Sequence, residues 1–281
     1  MKFLYLSLYF LMMNLNLCLG EEYDVYLLAG QSNMDGRGDI ADLTEDQRVP
    51  SKSSLIYYRN PPYTSEGWEA LAPGFSIPPK HKKGIPSSKF GPEIGFIEAM
   101  TKAQPQRKFA LIKGSKGGTN LRKDWNSGEK GKPETQGLIY RNFIETYKLA
   151  TQSLVKDGHA FKVRGLLWHQ GESDSKVKAR AHEERLEKLI ERIREDIGIK
   201  NLPWVVGEVF DNGKRDKVRA AIRGVSKSDS LCGLVSSKGT TTWDPGTHFD
   251  AKSQLLLGKR YAEEMNKLVR PSNTKLNNRK K

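Results

Sequence analysis

Cysteine is scarce. The 281 residues contain two, Cys18 and Cys232. Cys18 falls in an apolar leader, so a chain without that leader keeps Cys232 alone and has no internal disulfide open to it. Cys232 sits in the strand-like piece SLCGLVSS, where a lone thiol serves as core filler rather than nucleophile. Histidine is sparse too, at five, and no Cys/His cluster has metal-ligand spacing. That argues against a structural zinc site, and nothing in the sequence calls for a metal or an organic cofactor. Beyond the leader no stretch is long and apolar enough to span a bilayer. Acid is outnumbered: 47 Lys and Arg face 33 Asp and Glu, for a net charge of +14. The positive charge is spread through KHKKG, KGSKGG and the tail KLNNRKK, without the motif of any nucleic-acid-binding module. It reads as a solvated surface that favours polyanions in general, an acidic glycan among them, and not nucleic acid.

What is present begins with that leader. Lys2 is followed by FLYLSLYFLMMNLNLCLG, small Gly20, and then Glu21 and Glu22. A basic start, an apolar stretch and a small residue spell a secretory signal peptide over residues 1–20, cleaved near Gly20. The protein is therefore expected outside the cytoplasm, secreted or periplasmic, with no stable membrane insertion after cleavage. A membrane anchor is the competing reading, opposed by Asn14 and Asn16 within the run. A lipoprotein anchor at Cys18 is opposed by the Leu-Asn-Leu before it.

Residues 21–270 form one expected domain, and residues 271–281 a basic, disordered tail. Short apolar runs alternate with amphipathic ones. Strands are expected at 24–30, 108–114, 162–171, 202–210 and 230–237, and helices at 92–103, 138–158, 175–198, 215–225 and 251–269. That alternation predicts an α/β fold: a three-layer α/β/α sandwich with a doubly wound parallel sheet. Residues 40–90, rich in Pro, Lys and Ser, read as a long loop holding one strand-like piece, LIYYR. This loop and a second one after residue 114 are expected over the carboxyl edge of the sheet, where such folds bind ligands.

Polar groups collect at that edge. The first strand ends in Gly30-Gln31-Ser32-Asn33, the next in GSKGGTN (114–120), the third in WHQGESD (168–174), and the loop before the last helix is TTWDPGTHFD (241–250). A serine attacks an acyl carbon only if a base takes its proton, and a histidine needs an acceptor on its other nitrogen to serve as that base. His248 and Asp244 can supply both. Gly117 and Gly118 can turn backbone N–H groups toward an oxyanion, and Gln170 offers an amide. Taken singly, each has a plainer reading: Ser32 as a helix cap, His248 as a structural residue, GSKGG as a flexible loop. Trp125, Trp68 and Tyr63 lie in the long loops, where they either stack on sugar rings or pin those loops.

The blocks GQSNM (30–34), KGGTNL (116–121), WHQGESD (168–174) and GTHFDAKSQLLLGKRYAEEM (246–265) resemble those of the sialate O-acetylesterase and carbohydrate esterase family 6 group of the SGNH hydrolases, which have a flavodoxin-like architecture. The resemblance implies Ser32 as nucleophile and His248 as base. It implies oxyanion donors from Ser32 N–H, the Gly117–Gly118 loop and Gln170. Gln31, Asn33, Glu172 and Asp174 become supporting residues around them. The third triad member departs from the pattern. The position three before His248 is Pro245, and Asp244 is four before. Either Asp244 orients the ring through a bulged turn, or a backbone carbonyl or Glu172 does so beside a Ser-His dyad. The expected function is a secreted carbohydrate O-acetylesterase acting on an acetylated oligo- or polysaccharide. A non-catalytic glycan-binding protein and an esterase or lipase for other esters stand as alternatives. Oligomeric state is not readable from the sequence.

Overall fold

A computed structural model describes residues 20–77 and 84–269. All of the expected leader except Gly20, the expected tail, and part of the KHKKG segment lie outside the described residues.

Six strands form the body of the sheet: β1 (Glu22–Gly30), β2 (Ser54–Asn60), β3 (Lys108–Ser115), β4 (Ala160–His169), β5 (Trp204–Gly207) and β6 (Cys232–Val235). They lie in the order β2-β3-β1-β4-β5-β6, and every neighbouring pair is parallel. Two short segments, Tyr63–Thr64 and Glu69–Ala70, fold back antiparallel on β2. The principal helices are α1 (Ser32–Asp35), α2 (Glu93–Ala103), α3 (Leu138–Lys156), α4 (Ala179–Asp196), α5 (Asp216–Ser228) and α6 (Ala251–Val269).

The three layers follow from side-chain alternation. On β1, Tyr23, Val25, Leu27 and Ala29 face the core under α3, α4 and α5, while Tyr26 and Leu28 face the core under α2 and α6. A strand buried on both faces must read as a continuous apolar run, and VYLLA does. Each fully buried Val or Leu there contributes about 1.5–3 kcal/mol. The helices answer with one apolar stripe each. Leu186, Leu189, Ile190 and Ile193 on α4, and Val218, Ala221, Ile222 and Val225 on α5, recur at helical spacing and are buried.

The doubly wound α/β expectation agrees with this architecture. Residues 40–90 depart from it in one respect. LIYYR, the strand-like piece, is a strand as expected but belongs to the main sheet: it is the centre of β2, paired along Ser54–Tyr58 with Phe109–Lys113 of β3. Its Ile56 and Tyr58 fill the core while Leu55 and Tyr57 cover the other face. The chain leaving β1 runs toward β2 on one side, and the chain leaving β4 runs toward β5 on the other. Their carboxyl ends therefore part into a crevice, and Gly30 and His169 are register partners at its floor.

Candidate active site

β1 ends where only glycine fits. Gly30 has φ +146°, and a Cβ there would lie 2.1 Å from the His169 carbonyl oxygen. The Gln31 N–H donates to that same oxygen at 2.9 Å, so the turn is stitched to β4. The chain then enters the single turn α1 with Ser32 as its first residue; Gln31 holds the cap position and makes no side-chain cap bond. The Ser32 hydroxyl is thus free of capping duty. As the first helical residue, Ser32 also has a backbone N–H without an intrahelical acceptor.

The hydroxyl meets the loop before α6. Ser32 Oγ lies 3.1 Å from His248 Nε2, and His248 Nδ1 lies 2.6 Å from Asp244 Oδ2. The four-residue spacing works because Asp244 Oδ1 also accepts the backbone N–H groups of Thr247, at 2.9 Å, and His248, at 2.7 Å. The carboxylate closes the turn with one oxygen and faces the ring with the other. Partial burial works to raise the Asp244 carboxyl, but those N–H groups and the imidazole outweigh it and hold the pKa below its ordinary value. Glu172, the other candidate partner, faces elsewhere: its Oε1 accepts from Asn33 Nδ2.

Asn33 explains how two distant loops stay in register. Its Nδ2 also donates to Thr247 O at 2.9 Å, and its Oδ1 accepts from Phe249 N at 3.1 Å. Asn33 therefore grips the backbone on both sides of His248. Arg215, at the start of α5, adds a second clamp through Gly246 O at 2.7 Å and Thr247 Oγ1 at 3.2 Å. Burial raises the Glu172 carboxyl above its ordinary value, against the lowering pull of Asn33 and Arg215. His169 beside it is fully enclosed, and burial pushes its pKa down to about 3. Its Nδ1 lies 2.9 Å from Tyr261 Oη, which itself donates to Trp168 O.

The three expected oxyanion donors separate. Gly117 faces the nucleophile: a Cβ built there would lie 3.3 Å from Ser32 Cβ. Gly118 is exposed at φ +76°, with nothing within 4 Å of its Cβ position, and shapes the turn rather than facing Ser32. Gln170 departs from its expected role. Its Nε2 donates to Asp174 Oδ2 at 2.6 Å, Thr119 O at 3.0 Å and Gln31 Oε1 at 3.3 Å. An amide nitrogen has two hydrogens, and three buried acceptors exhaust them. With Asp174, which also accepts Leu121 N at 3.1 Å, Gln170 ties the 116–125 loop to the end of β4.

Several residues at the site carry no motif of their own. Asp35, closing α1, is fully buried and accepts from Tyr58 Oη at 2.8 Å, Asn60 Nδ2 at 3.1 Å, Ser76 Oγ at 3.1 Å, Ile77 N at 3.0 Å and Arg37 Nη1 at 2.6 Å. Burial opposes its charge, but Arg37 and Lys113 hold its carboxyl below the ordinary value. Lys113, fully buried on β3, donates to Asp35 O, Phe75 O and Glu93 Oε2 at 2.8–2.9 Å. One signal for it was in the sequence: a lysine inside the apolar strand FALIKG demands buried partners.

The aromatic residues divide in the same way. Trp125 is buried edge-on against Trp168, with Nε1 donating to Thr119 Oγ1 at 3.1 Å. Trp68 packs on Tyr57 and donates to Ala150 O at 2.9 Å. Both pin loops. Trp243, not singled out by the sequence, is 58% exposed and lies nearly parallel to His248, 13° between planes and 5.6 Å between centroids.

The model of one protein family, described as "Carbohydrate esterase, sialic acid-specific acetylesterase", matches residues 22–267. A protein of Arabidopsis thaliana described as a probable carbohydrate esterase is 26% identical over 254 residues, covering 85% of this chain and 88% of that one. Among solved structures, an Arabidopsis thaliana protein superposes with TM-score 0.68 at 22% identity, covering 89% of this chain and all of that one. NanS does so with TM-score 0.65 at 15% identity, over 88% and 98%. A carbohydrate acetylesterase from Xanthomonas citri does so with TM-score 0.60 at 16% identity, over 88% of this chain and 56% of that one. These likenesses between structures show the same mostly parallel α/β fold.

Proposed function

We propose that this chain, which belongs to the carbohydrate esterase family of sialic acid-specific acetylesterases, is a secreted enzyme that removes O-acetyl groups from a glycan through an acetyl-enzyme on Ser32. The observation that carries this reading is the line Ser32 Oγ, His248 Nε2, His248 Nδ1, Asp244 Oδ2, joined at 3.1 Å and 2.6 Å across the carboxyl edge of the sheet.

With Asp244 accepting from Nδ1–H, the lone pair of a neutral imidazole is left on Nε2, facing the hydroxyl. As Ser32 Oγ bonds to the acetyl carbon, its proton moves to Nε2 and the carbonyl oxygen becomes an oxyanion. The Ser32 and Gly117 backbone N–H groups are its donors. Collapse breaks the bond to the sugar oxygen, which leaves with the Nε2 proton. A water then gives its proton to Nε2, its oxygen attacks the acetyl carbon, and acetate departs as Ser32 regains the proton. Trp243 offers the leaving sugar an apolar face beside the base. Export follows from the leader, a basic start and apolar run ending at Gly20.

Acetate release from a panel of acetylated glycans, including acetylxylan and O-acetylated sialosides, tests the reading, with Ser32→Ala as control. The expected result is turnover of at least one substrate by the native enzyme and none by the variant. Equal background rates from both proteins across the panel, with retained glycan binding, would make this a binding module on an esterase fold.

A further inference from the structure

The site as described has backbone donors for an oxyanion but no side-chain donor, since Gln170 is fully engaged. Arg37 borders the same space beside the nucleophile. Its Nη2 and Ser32 Cβ lie 3.1 Å and 3.3 Å from one shared point, the place a Cβ on Gly117 would take. That point is the space a side chain would fill, between the nucleophile, the Gly117 backbone and the guanidinium. The other terminal nitrogen, Nη1, is fully committed. Nη1 donates to Asp35 Oδ2, Gly36 O and Ser76 Oγ, whereas Nη2 makes no hydrogen bond among the described residues.

We propose that Arg37 is a catalytic residue that donates an Nη2–H to the oxyanion of the tetrahedral intermediate; the proposal rests on the esterase reading above. The guanidinium is planar and permanently charged, so fixing Nη1 fixes the direction of Nη2. Asp35 does the fixing, and its five other donors, Tyr58, Asn60, Ser76, Ile77 and Ser115, keep its carboxylate from turning. A donor held before the reaction needs no reorganisation as negative charge grows on the carbonyl oxygen, which is the condition for electrostatic stabilisation of a transition state. No bond is made or broken at Arg37: it keeps its proton throughout, and the oxyanion returns its electrons to the carbonyl on collapse. The six donors gathered on the Asp35 carboxylate thereby acquire a purpose that the Ser32, His248 and Asp244 line alone does not give them.

The test compares native enzyme, Arg37→Lys, Arg37→Ala and Ser32→Ala on p-nitrophenyl acetate, a neutral ester, and on the acetylated glycan that the panel identifies. In Arg37→Lys a single ammonium can keep the pair with Asp35 but has no second arm to reach the intermediate. Both Arg37 variants are expected to lose roughly a hundredfold to a thousandfold in kcat on both substrates with KM little changed. The Lys variant should keep the native melting temperature. Added guanidinium ion at low millimolar concentration should restore part of kcat to Arg37→Ala, which a purely structural role does not predict. If Arg37→Ala does not fold, Arg37→Lys decides alone. Native kcat in a folded Arg37 variant overturns the proposal. So does a loss confined to KM for acidic glycans, which would make Arg37 a reader of substrate charge. A native enzyme no faster than Ser32→Ala would take down the esterase reading itself, and this proposal with it.

Discussion

Asn33 touches three things at once: the buried Glu172 carboxylate and the backbone on either side of His248. Removing its amide strands a buried carboxylate oxygen, a carbonyl and an N–H, each costing about 1–3 kcal/mol when left unpaired. Asn33→Ala is therefore expected to lower the urea midpoint, and also to lower kcat by roughly tenfold to a hundredfold by loosening the base. A variant that lost stability but kept native kcat would show that Asn33 supports the fold and not the histidine. At this scale the sequence was informative about residue types and poor about directions. That Ser32, His248 and Gly117 would lie at one edge was readable from the order of strands and the loops that follow them, and the structure brings the three together. The choice between Asp244 and Glu172 was not readable, because a spacing of four says nothing about which carboxylate faces the ring. Gln170 was misread for a similar reason. A side-chain amide at a strand end can face the substrate or the protein, and only the neighbouring Asp174 and Thr119 O decide it.

Among the elements, β3 does the most to join sheet and site. Its Lys113 reaches the α1 turn through Asp35 O and the start of α2 through Glu93, in a pair with no exposure on either side. Breaking a buried pair by removing one partner costs about 3–5 kcal/mol, since the remaining charge stays enclosed. Lys113→Met is expected to destabilise by that order in chemical unfolding, and Lys113→Met with Glu93→Gln by clearly less than the sum of the two single changes. Additive losses would mean that the pair is not coupled. Helices and core strands were legible because burial imposes period on sequence, as in Leu186, Leu189, Ile190 and Ile193. For β2 the strand character of LIYYR was legible but its place in the main sheet was not, because the piece is short and flanked by Pro, Lys and Ser. Its membership in the sheet is decided by pairing with β3, more than fifty positions on.

For the molecule as a whole, acid is the condition to watch. His169 and His182 are enclosed, and burial lowers them to about 3 and about 4. Both stay neutral in the folded state while the unfolded chain takes up protons below its ordinary histidine value of 6.5. The unfolded state then binds more protons, so these two groups make stability fall as pH drops from about 6 toward 4. Glu172 works in the opposite sense, because its raised pKa lets the folded state take up a proton first. Asp35 and Asp244, both lowered, withdraw their stabilisation only as pH falls below the unfolded value of 3.8. Urea midpoints at pH 7, 5.5 and 4.5 should show this slope, and His182→Leu should flatten it. An unchanged slope in that variant would remove His182 from the account.

Ser32 and His248 stand 216 positions apart along the chain. At translation rates of roughly 5–20 residues per second, the nucleophile leaves the ribosome about 10–40 s before its partner. Under the proposed mechanism a nascent chain carries a serine without its base, and the imidazole arrives only as the 241–250 loop and the last helix fold against strands already made.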